Sequence, residues 1–171
     1  KDKGSFIVSG RRTYIDILAR PFSAKLKNSG YYFYDANLKA NYKLGKDDRV
    51  YLSGYIGIDK FKYQSDNGHF NANVPWGNKT VTARWNHLFS SKLFLNTTLV
   101  YNDYNFASNF NENLFAVKLS SGIQDYNAKT DFDYFSSFNH HFKAGVAYTH
   151  HRFIPNQISG QIETLKLEPN N

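Results

Sequence analysis

The 171-residue chain has no cysteine, no methionine and no run of apolar residues that approaches the roughly 18 needed for a transmembrane helix. A helical membrane protein is therefore excluded. A Cys/His metal cluster is absent too, because it needs cysteine. The mean hydropathy of -0.58 does not exclude a membrane protein built from strands, since half of its residues would face water or a polar lumen.

The start of the sequence also lacks familiar features. Lys1 stands where an initiator methionine would be, and no charged and then apolar leader precedes Gly4. We therefore expect the sequence to be an excerpt of a longer chain.

The clearest pattern that is present lies in residues 31–63. From Tyr32 to Leu44 every second residue is apolar or aromatic, and after a turn at residues 45–48 the alternation resumes from Arg49 to Asp59. A period of two predicts a strand with one apolar and one polar face, so the stretch predicts a hairpin. Each strand exceeds both the roughly five or six residues usual in soluble sheets and the roughly 9–11 that cross a bilayer.

Weaker versions of this pattern predict five further strands. They lie at residues 4–15, 76–89, 93–104, 122–134 and 140–154. Long polar loops are predicted at 16–30, 64–75, 105–113 and from Pro155 onward. The segment 114–121 fits either the top of a strand or an excursion before one. Short turns are predicted at 45–48, 90–91 and 135–139.

The connections thus alternate between long and short, which is typical of outer-membrane barrels with short periplasmic turns and long extracellular loops. The predicted fold class is all-β, an antiparallel transmembrane barrel of which about seven strands are present. Single-chain bacterial barrels have even strand numbers, and an open sheet leaves edges that lipid cannot satisfy. Residues 1–171 are therefore predicted to be a partial outer-membrane barrel domain.

The formal net charge is +7, from 21 Lys and Arg against 14 Asp and Glu. Nucleic acid would need a patch or stripe of cations, whereas these cations stand singly among alternating positions. Examples are Lys39, Lys43, Lys79, Arg84, Lys118, Lys129 and Lys143. We expect a polar lumen and anionic lipid headgroups, including lipopolysaccharide, as their partners, and no nucleic acid.

Three groups of residues resemble the TonB-dependent receptors of Bacteroidetes. They are Gly4 to Asp16 (GSFIVSGRRTYID), Tyr32 to Asp35 continuing to Leu52 to Tyr55, and Trp76 to Asn78 continuing to Arg84 to His87. The resemblance reaches to about Pro155. It implies an outer-membrane barrel of about 22 strands, closed by an N-terminal plug domain that is not in this sequence.

The same resemblance implies a function and partners. Such receptors import a scarce nutrient with energy passed from an inner-membrane complex, so a TonB-type coupling protein would act through the N-terminal part outside this sequence. A surface lipoprotein is a further implied partner. The resemblance assigns no ligand-binding residue, because none of its matching phrases is a motif that touches substrate.

Two histidine pairs, His140-His141 and His150-His151, raise the question of a metal site. On one strand, at about 3.3 Å per residue, the pairs lie roughly 30 Å apart and the neighbours within a pair point to opposite faces. They cannot ligate one ion, so rim histidines are the favoured interpretation, and no metal or cofactor is expected.

Other charged residues also have two interpretations. Arg11 and Arg12 are adjacent, so one must point outward; Arg12 near the outer interface would meet lipopolysaccharide phosphates or form a rim salt bridge. The acidic row Asp125, Asp131 and Asp133 would form a cation site or, with Lys129 interleaved, a charge-balanced lumen wall, which we favour. Gly54 and Gly57 are interpreted as strand glycines that ease curvature.

The predicted function is import of a siderophore, glycan or peptide, contacted by aromatic and amide groups of the three loops 16–30, 64–75 and 105–113. The main alternative is a transport-inactive barrel that is a structural or assembly component of an outer-membrane complex. An enzyme barrel is disfavoured because no nucleophile and base stand out. A soluble β-sandwich binding module would need strands about half as long.

Overall fold

A computed structural model describes residues 3–18, 21, 29–112, 115–162 and 165–167. They form one antiparallel sheet in which the strand order is the chain order. The strands are β1 Gly4–Arg12, β2 Gly30–Lys43, β3 Asp48–Gln64, β4 Phe70–Leu88, β5 Leu93–Glu112, β6 Phe115–Ser137, β7 His140–Ile162 and β8 Leu165–Leu167. The all-β antiparallel class is confirmed, and the predicted seven strands are β1 to β7, with the three-residue β8 paired to the end of β7.

The hairpin predicted over residues 31–63 is β2 and β3. Its turn is closed by the Leu44 amide, which donates to the Asp48 carbonyl oxygen at 3.0 Å. Tyr42 lies opposite Val50 and Leu38 opposite Gly54. The two apolar rows therefore fall on the same face, because directly paired residues share a face.

The long loops predicted at 64–75, 105–113 and from Pro155 onward are wrong for most of the described residues, which are strand; residues 113, 163, 164 and 168–171 lie outside the described part of the chain. Strand β3 runs to Gln64, β4 begins at Phe70, β5 continues to Glu112 and β7 to Ile162. The ambiguous segment is strand as well, since β6 begins at Phe115. Of the residues described in these segments, only 65–69 form a loop, with Gly68 at φ 73°, a left-handed conformation that favours glycine.

The connection between β1 and β2 also differs from prediction. The first strand ends at Arg12 rather than at residue 15, and one helical turn, α1 Ile15–Leu18, follows. No helix among the described residues is long and apolar enough to cross a membrane. Residues 19, 20 and 22–28 of the predicted loop lie outside the described part of the chain.

The sheet has almost no core. Among the described residues, the only buried hydrophobic side chains are Ala72 and Leu95, each 8% exposed. Large apolar side chains such as Phe6, Val146 and Leu99 are instead more than half exposed. A soluble domain of this size would bury such residues, so this sheet needs an apolar environment against one face.

That face, here called the apolar face, is defined by the register. It contains Phe6, Val8, Ala36, Leu38, Leu52, Ile56, Val81, Ala83, Leu99, Ala128, Phe132, Ala144 and Val146. The opposite face is called the polar face. It contains Arg11, Asp35, Lys39, Asn41, Arg84, Asn102, Asp125, Lys129, Asp131, Lys143 and His151.

Aromatic residues of the apolar face form two rows. The lower row contains Tyr42, Trp85, Tyr134 and Phe142, and the upper row contains Tyr34, Tyr101, Tyr126 and Tyr148. Along β2 the rows are roughly 26 Å apart. Outer-membrane barrels have an apolar band about 25 Å tall between two aromatic girdles.

Both rows cross the strands obliquely. When direct partners are followed from Tyr34 across the sheet, the last one is Ile154 of β7, which lies six residues from Tyr148. From Tyr42 the last partner is Val146, four residues from Phe142. At about 3.3 Å per residue and 4.8 Å per strand, these shifts correspond to a strand tilt of roughly 30–40°. Membrane barrels tilt their strands by a similar angle, about 35–45°.

Candidate functional site

The polar face carries a hydrogen-bonded network of side chains. It lies at about the height of the upper aromatic row of the opposite face. Thr80 Oγ1 donates to Asn102 Oδ1 at 2.7 Å, and Asn102 Nδ2 donates to Asp125 Oδ2 at 3.5 Å. His151 Nδ1 lies 2.6 Å from Asp125 Oδ1. Four consecutive strands, β4 to β7, are thus joined by side chains as well as by backbone.

The carboxylates of the acidic row on β6 lie beside basic side chains rather than beside one another. Asp131 lies 3.0 Å from Lys129 Nζ, and Asp133 lies 2.9 Å from His141 Nε2 and 3.8 Å from Lys143 Nζ. No group of three or more His, Asp or Glu side chains within the described ranges is arranged to hold a metal ion. The geometry fits the interpretation of a charge-balanced wall.

The two adjacent arginines of β1 point to opposite faces, as expected for a strand. Arg11 Nε donates to Asp35 Oδ2 at 2.7 Å on the polar face. The Arg12 guanidinium lies over the rings of Tyr14 and Tyr32, at 5.5 and 5.3 Å from their centroids. Arg12 therefore lies at the level of the upper aromatic row, opposite Tyr34, and is held by cation–π contacts.

The four paired histidines lie at the two places on β7 that the strand geometry predicts. His141 and His151 reach Asp133 and Asp125 on the polar face. Of their neighbours on the opposite face, His140 contacts Ser137, and the ring of His150 lies 6.2 Å from that of Tyr126.

A third histidine–carboxylate contact lies just below the lower aromatic row. Asp48 Oδ1 accepts from Trp85 Nε1 at 2.8 Å and lies 2.7 Å from His87 Nδ1. The hydrogen bond with His87 and then the one from Trp85 lower the pKa of the Asp48 carboxyl from its usual value. These contacts join the start of β3 to the end of β4.

Above the upper aromatic row the polar face becomes aromatic. This aromatic wall consists of Tyr31, Phe33, Phe61, Tyr63, Phe70, Trp76, Tyr104, Phe106 and Phe110. The ring of Trp76 is stacked on that of Tyr31, with centroids 6.1 Å apart and planes 20° apart. Phe70 stacks on Phe110 at 6.4 Å.

Some residues of the aromatic wall lie in segments predicted to be loops; these residues are Phe70, Phe106 and Phe110. The prediction that aromatic groups of these segments gather at the outer end is compatible with their position, but the backbone that presents them is extended sheet. Tyr31 and Trp76 were not identified from the sequence as site residues. Asp59 of β3 is paired with Phe33 of β2 on one side and with Trp76 of β4 on the other, and this pairing brings the aromatic residues of β2 and β4 close together. A single sequence does not reveal the register on which the pairing depends.

The singly placed cations divide between the faces. Lys39, Lys43, Arg84, Lys129 and Lys143 lie on the polar face. Lys79 and Lys118 lie on the other face, Lys79 at the level of the upper aromatic row and Lys118 above it. Gly57, which lies on the polar face, is covered by the ring of Tyr55: a Cβ added there would lie 2.2 Å from the Tyr55 hydroxyl. The missing side chain of Gly57 therefore leaves the space that the Tyr55 ring occupies on the polar face.

No family model and no curated protein matches the chain. Among solved structures it is similar to the ferric yersiniabactin uptake receptor FyuA from Yersinia pestis, a TonB-dependent receptor, with 14% sequence identity and a TM-score of 0.58. The similarity covers 83% of this chain and 24% of that one, so this chain spans about a quarter of the receptor's length. The chain thus has the fold of part of the β-barrel of a TonB-dependent receptor.

Proposed function

We propose that this chain is part of the wall of an outer-membrane transporter of the TonB-dependent type. The observation that carries the proposal is a sheet with almost no core, whose exposed apolar face lies between two oblique aromatic rows. Lipid supplies the apolar environment which that face needs, and the short turns at the lower end would face the periplasm. The polar face would line the lumen.

The rest of the barrel would come from strands outside this sheet. Within the described residues, β1 pairs only with β2, and most of β7 pairs only with β6, so both outer edges are open. Lipid cannot satisfy an open edge, which favours a larger barrel, of about 22 strands in plugged transporters. A plug domain, a TonB-type coupling protein, a surface lipoprotein partner and a Bacteroidetes origin belong to the same proposal and rest on the sequence resemblance.

The aromatic wall is the proposed contact surface for the nutrient. Stacked rings such as Trp76 on Tyr31 present flat apolar surfaces beside the Asp59 carboxylate, which accepts from the Tyr31 hydroxyl. Such a surface suits a ligand with rings and hydrogen-bonding groups, whether siderophore, glycan or peptide. Because the similar structure is a ferric siderophore uptake receptor, iron complexes are the first class to test.

Uptake by intact cells tests this function. The full-length protein that contains this chain would be expressed in the outer membrane of cells lacking their own siderophore receptors, and uptake of labelled ferric siderophores would be measured. We expect uptake that stops when a protonophore collapses the proton-motive force. Without the protonophore, Trp76→Ala should lower uptake below that of the wild type, at an unchanged amount of protein in the outer-membrane fraction.

The alternative, a structural or assembly component of an outer-membrane complex, predicts a different result. Such a barrel would sit in the membrane but take up none of a panel of siderophores, oligosaccharides and peptides, with or without the protonophore. Protein that purified in the soluble fraction without detergent would overturn both proposals.

A further inference from the structure

At and above the upper aromatic row, the two faces of the sheet differ in charge. On β3 to β7, the face continuous with the apolar band carries five cations and one acid, which are Lys60, Lys62, Lys79, Lys118, Arg152 and Asp103. The polar face of the same described segments carries the carboxylates Asp59, Glu112 and Asp125 and no lysine or arginine. Although the whole chain has a formal net charge of +7, its aromatic wall therefore lies on a negatively charged part of the surface.

Asp59 lies among the rings of this wall. Its direct partners are Phe33 of β2 and Trp76 of β4, so the three side chains share the polar face. Asp59 Oδ1 accepts a hydrogen bond from the Tyr31 hydroxyl, and the Tyr31 ring is stacked on that of Trp76 with centroids 6.1 Å apart. Asp59 forms no ion pair with any other residue that the structure describes. This half-buried carboxylate thus has aromatic neighbours and no countercharge.

Arg11 shows how this wall accepts an organic cation. Its guanidinium lies over the Phe33 ring, 5.1 Å from the centroid, and its Nε donates to Asp35 Oδ2 at 2.7 Å. The chain itself therefore places a cation beside a ring face and a carboxylate at the β1 edge of the wall. Asp59 and Trp76 provide the same two kinds of group on β3 and β4, where no described lysine or arginine pairs with the carboxylate. A ring face and an unpaired carboxylate both attract cations.

We propose that the aromatic wall binds its ligand through an ammonium or guanidinium group, which Asp59 holds against the rings of Trp76 and Phe33. The inference rests on the proposed function and adds the class of nutrient, an organic cation that also has apolar surface. An amine-bearing ferric chelate and a basic peptide both have this chemistry. A chelate with a net negative charge binds less well, because the carboxylate among the rings repels it.

Two matched pairs of probes test the charge of the ligand. The first pair is the ferric complex of a linear trihydroxamate with a terminal amine and the N-acetyl derivative of the same complex, which lacks the positive charge. The second pair is a blocked tripeptide with arginine between two phenylalanines and the same peptide with neutral citrulline in place of arginine. Binding of each probe to the purified full-length protein in detergent is measured by equilibrium dialysis.

Two variants locate the effect on the sheet. Asp59→Asn removes the charge and keeps an oxygen that accepts from the Tyr31 hydroxyl. Asp103→Asn is the matched control, because it removes the same charge from the opposite face and keeps an acceptor for Asn105 Nδ2. We expect the wild type to prefer the cationic probe of a pair, and Asp59→Asn to bind that probe roughly fivefold more weakly, with the neutral probe unchanged. The control should bind all probes as the wild type does.

Three results would overturn the inference: no preference for the cation in either pair, no binding of either cationic probe, or equal effects of Asp59→Asn and Asp103→Asn. A preference in one pair alone supports the inference and identifies the ferric chelate or the peptide as the source of the cation. The proposed function fails separately. Purified protein that prefers cations but supports no energised uptake by cells rejects the transporter and leaves this inference standing, whereas energised uptake without a preference for cations rejects this inference alone.

Discussion

At the scale of single residues, Asp48 ties the start of β3 to the end of β4 through Trp85 and His87. Because these hydrogen bonds lower the pKa of Asp48 in the folded protein, their contribution to stability is present above the unfolded pKa of about 3.9 and is lost as the pH falls through the folded value. We expect Asp48→Asn to lower the melting temperature at neutral pH, and the difference from wild type to shrink below about pH 4.

The neighbouring Asp47→Asn is the matched control for this thermal unfolding measurement. Among the described residues, the Asp47 side chain pairs only with exposed Lys46, at 3.8 Å, and its link to β4 uses the backbone carbonyl, which the substitution keeps. An equal effect of both substitutions at every pH would show that the contacts with Trp85 and His87 do not stabilise the turn.

Sequence alternation assigns residues to faces better than it assigns partners. It places Lys129, Asp131 and Asp133 on one face, where the structure pairs Asp131 with Lys129 and Asp133 with Lys143. It does not reveal that Arg11 meets Asp35, because that contact depends on the register between β1 and β2. The aromatic wall was missed for the same reason.

At the scale of the strand, the two faces of β4 should respond oppositely to a charge. Ala83 lies on the apolar face near the middle of the band, opposite Leu52 and Leu99, while Thr82 lies on the polar face. We expect Ala83→Arg to destabilise the protein by about 2–4 kcal/mol and Thr82→Arg to have a far smaller effect, because lipid solvates a guanidinium poorly. Urea unfolding of the full-length protein in phosphatidylcholine vesicles measures both values.

The reverse order, or two small effects, would show that the apolar face does not contact lipid. Since the two positions are adjacent in the chain, differences in strand propensity and in distance from the turn are nearly the same for both. The comparison therefore isolates the environment of each face.

The sequence predicts the hairpin of β2 and β3 almost to its ends. Inside the apolar band one face of a strand must be apolar and the other polar, so the side chains alternate clearly. Above the band both faces contain polar and aromatic residues, as in Asn105, Asn109 and Phe110 of β5, so alternation gives no signal. These segments are rich in asparagine, which is typical of loops. Backbone pairing between long neighbouring strands keeps them extended, and the sequence pattern does not report that pairing.

At the scale of the whole molecule, the chain's two tryptophans lie on opposite faces. Trp85 belongs to the lower aromatic row, and Trp76 belongs to the aromatic wall. For the protein in vesicles, we expect the fluorescence that Trp85→Phe removes to be quenched by lipids with brominated chains. The fluorescence that Trp76→Phe removes should be quenched by aqueous iodide instead.

Comparing each variant with the parent protein gives the contribution of one ring, even if other tryptophans are present. Quenching of both rings by iodide and of neither by brominated lipid would indicate a sheet in water. Quenching of both by brominated lipid would place the aromatic wall in the membrane and remove it as a surface for a nutrient.

The simple order of the strands has a kinetic consequence. Each strand pairs with its neighbour in the chain, so every stretch of ladder closes a short loop and costs little conformational entropy. Once one hairpin has formed, the next strand can pair with an edge that is only a few residues away in the chain, so the sheet can grow one strand at a time. The slow step would then be the meeting of the two free edges with the remainder of the barrel, where the joining strands are far apart in sequence.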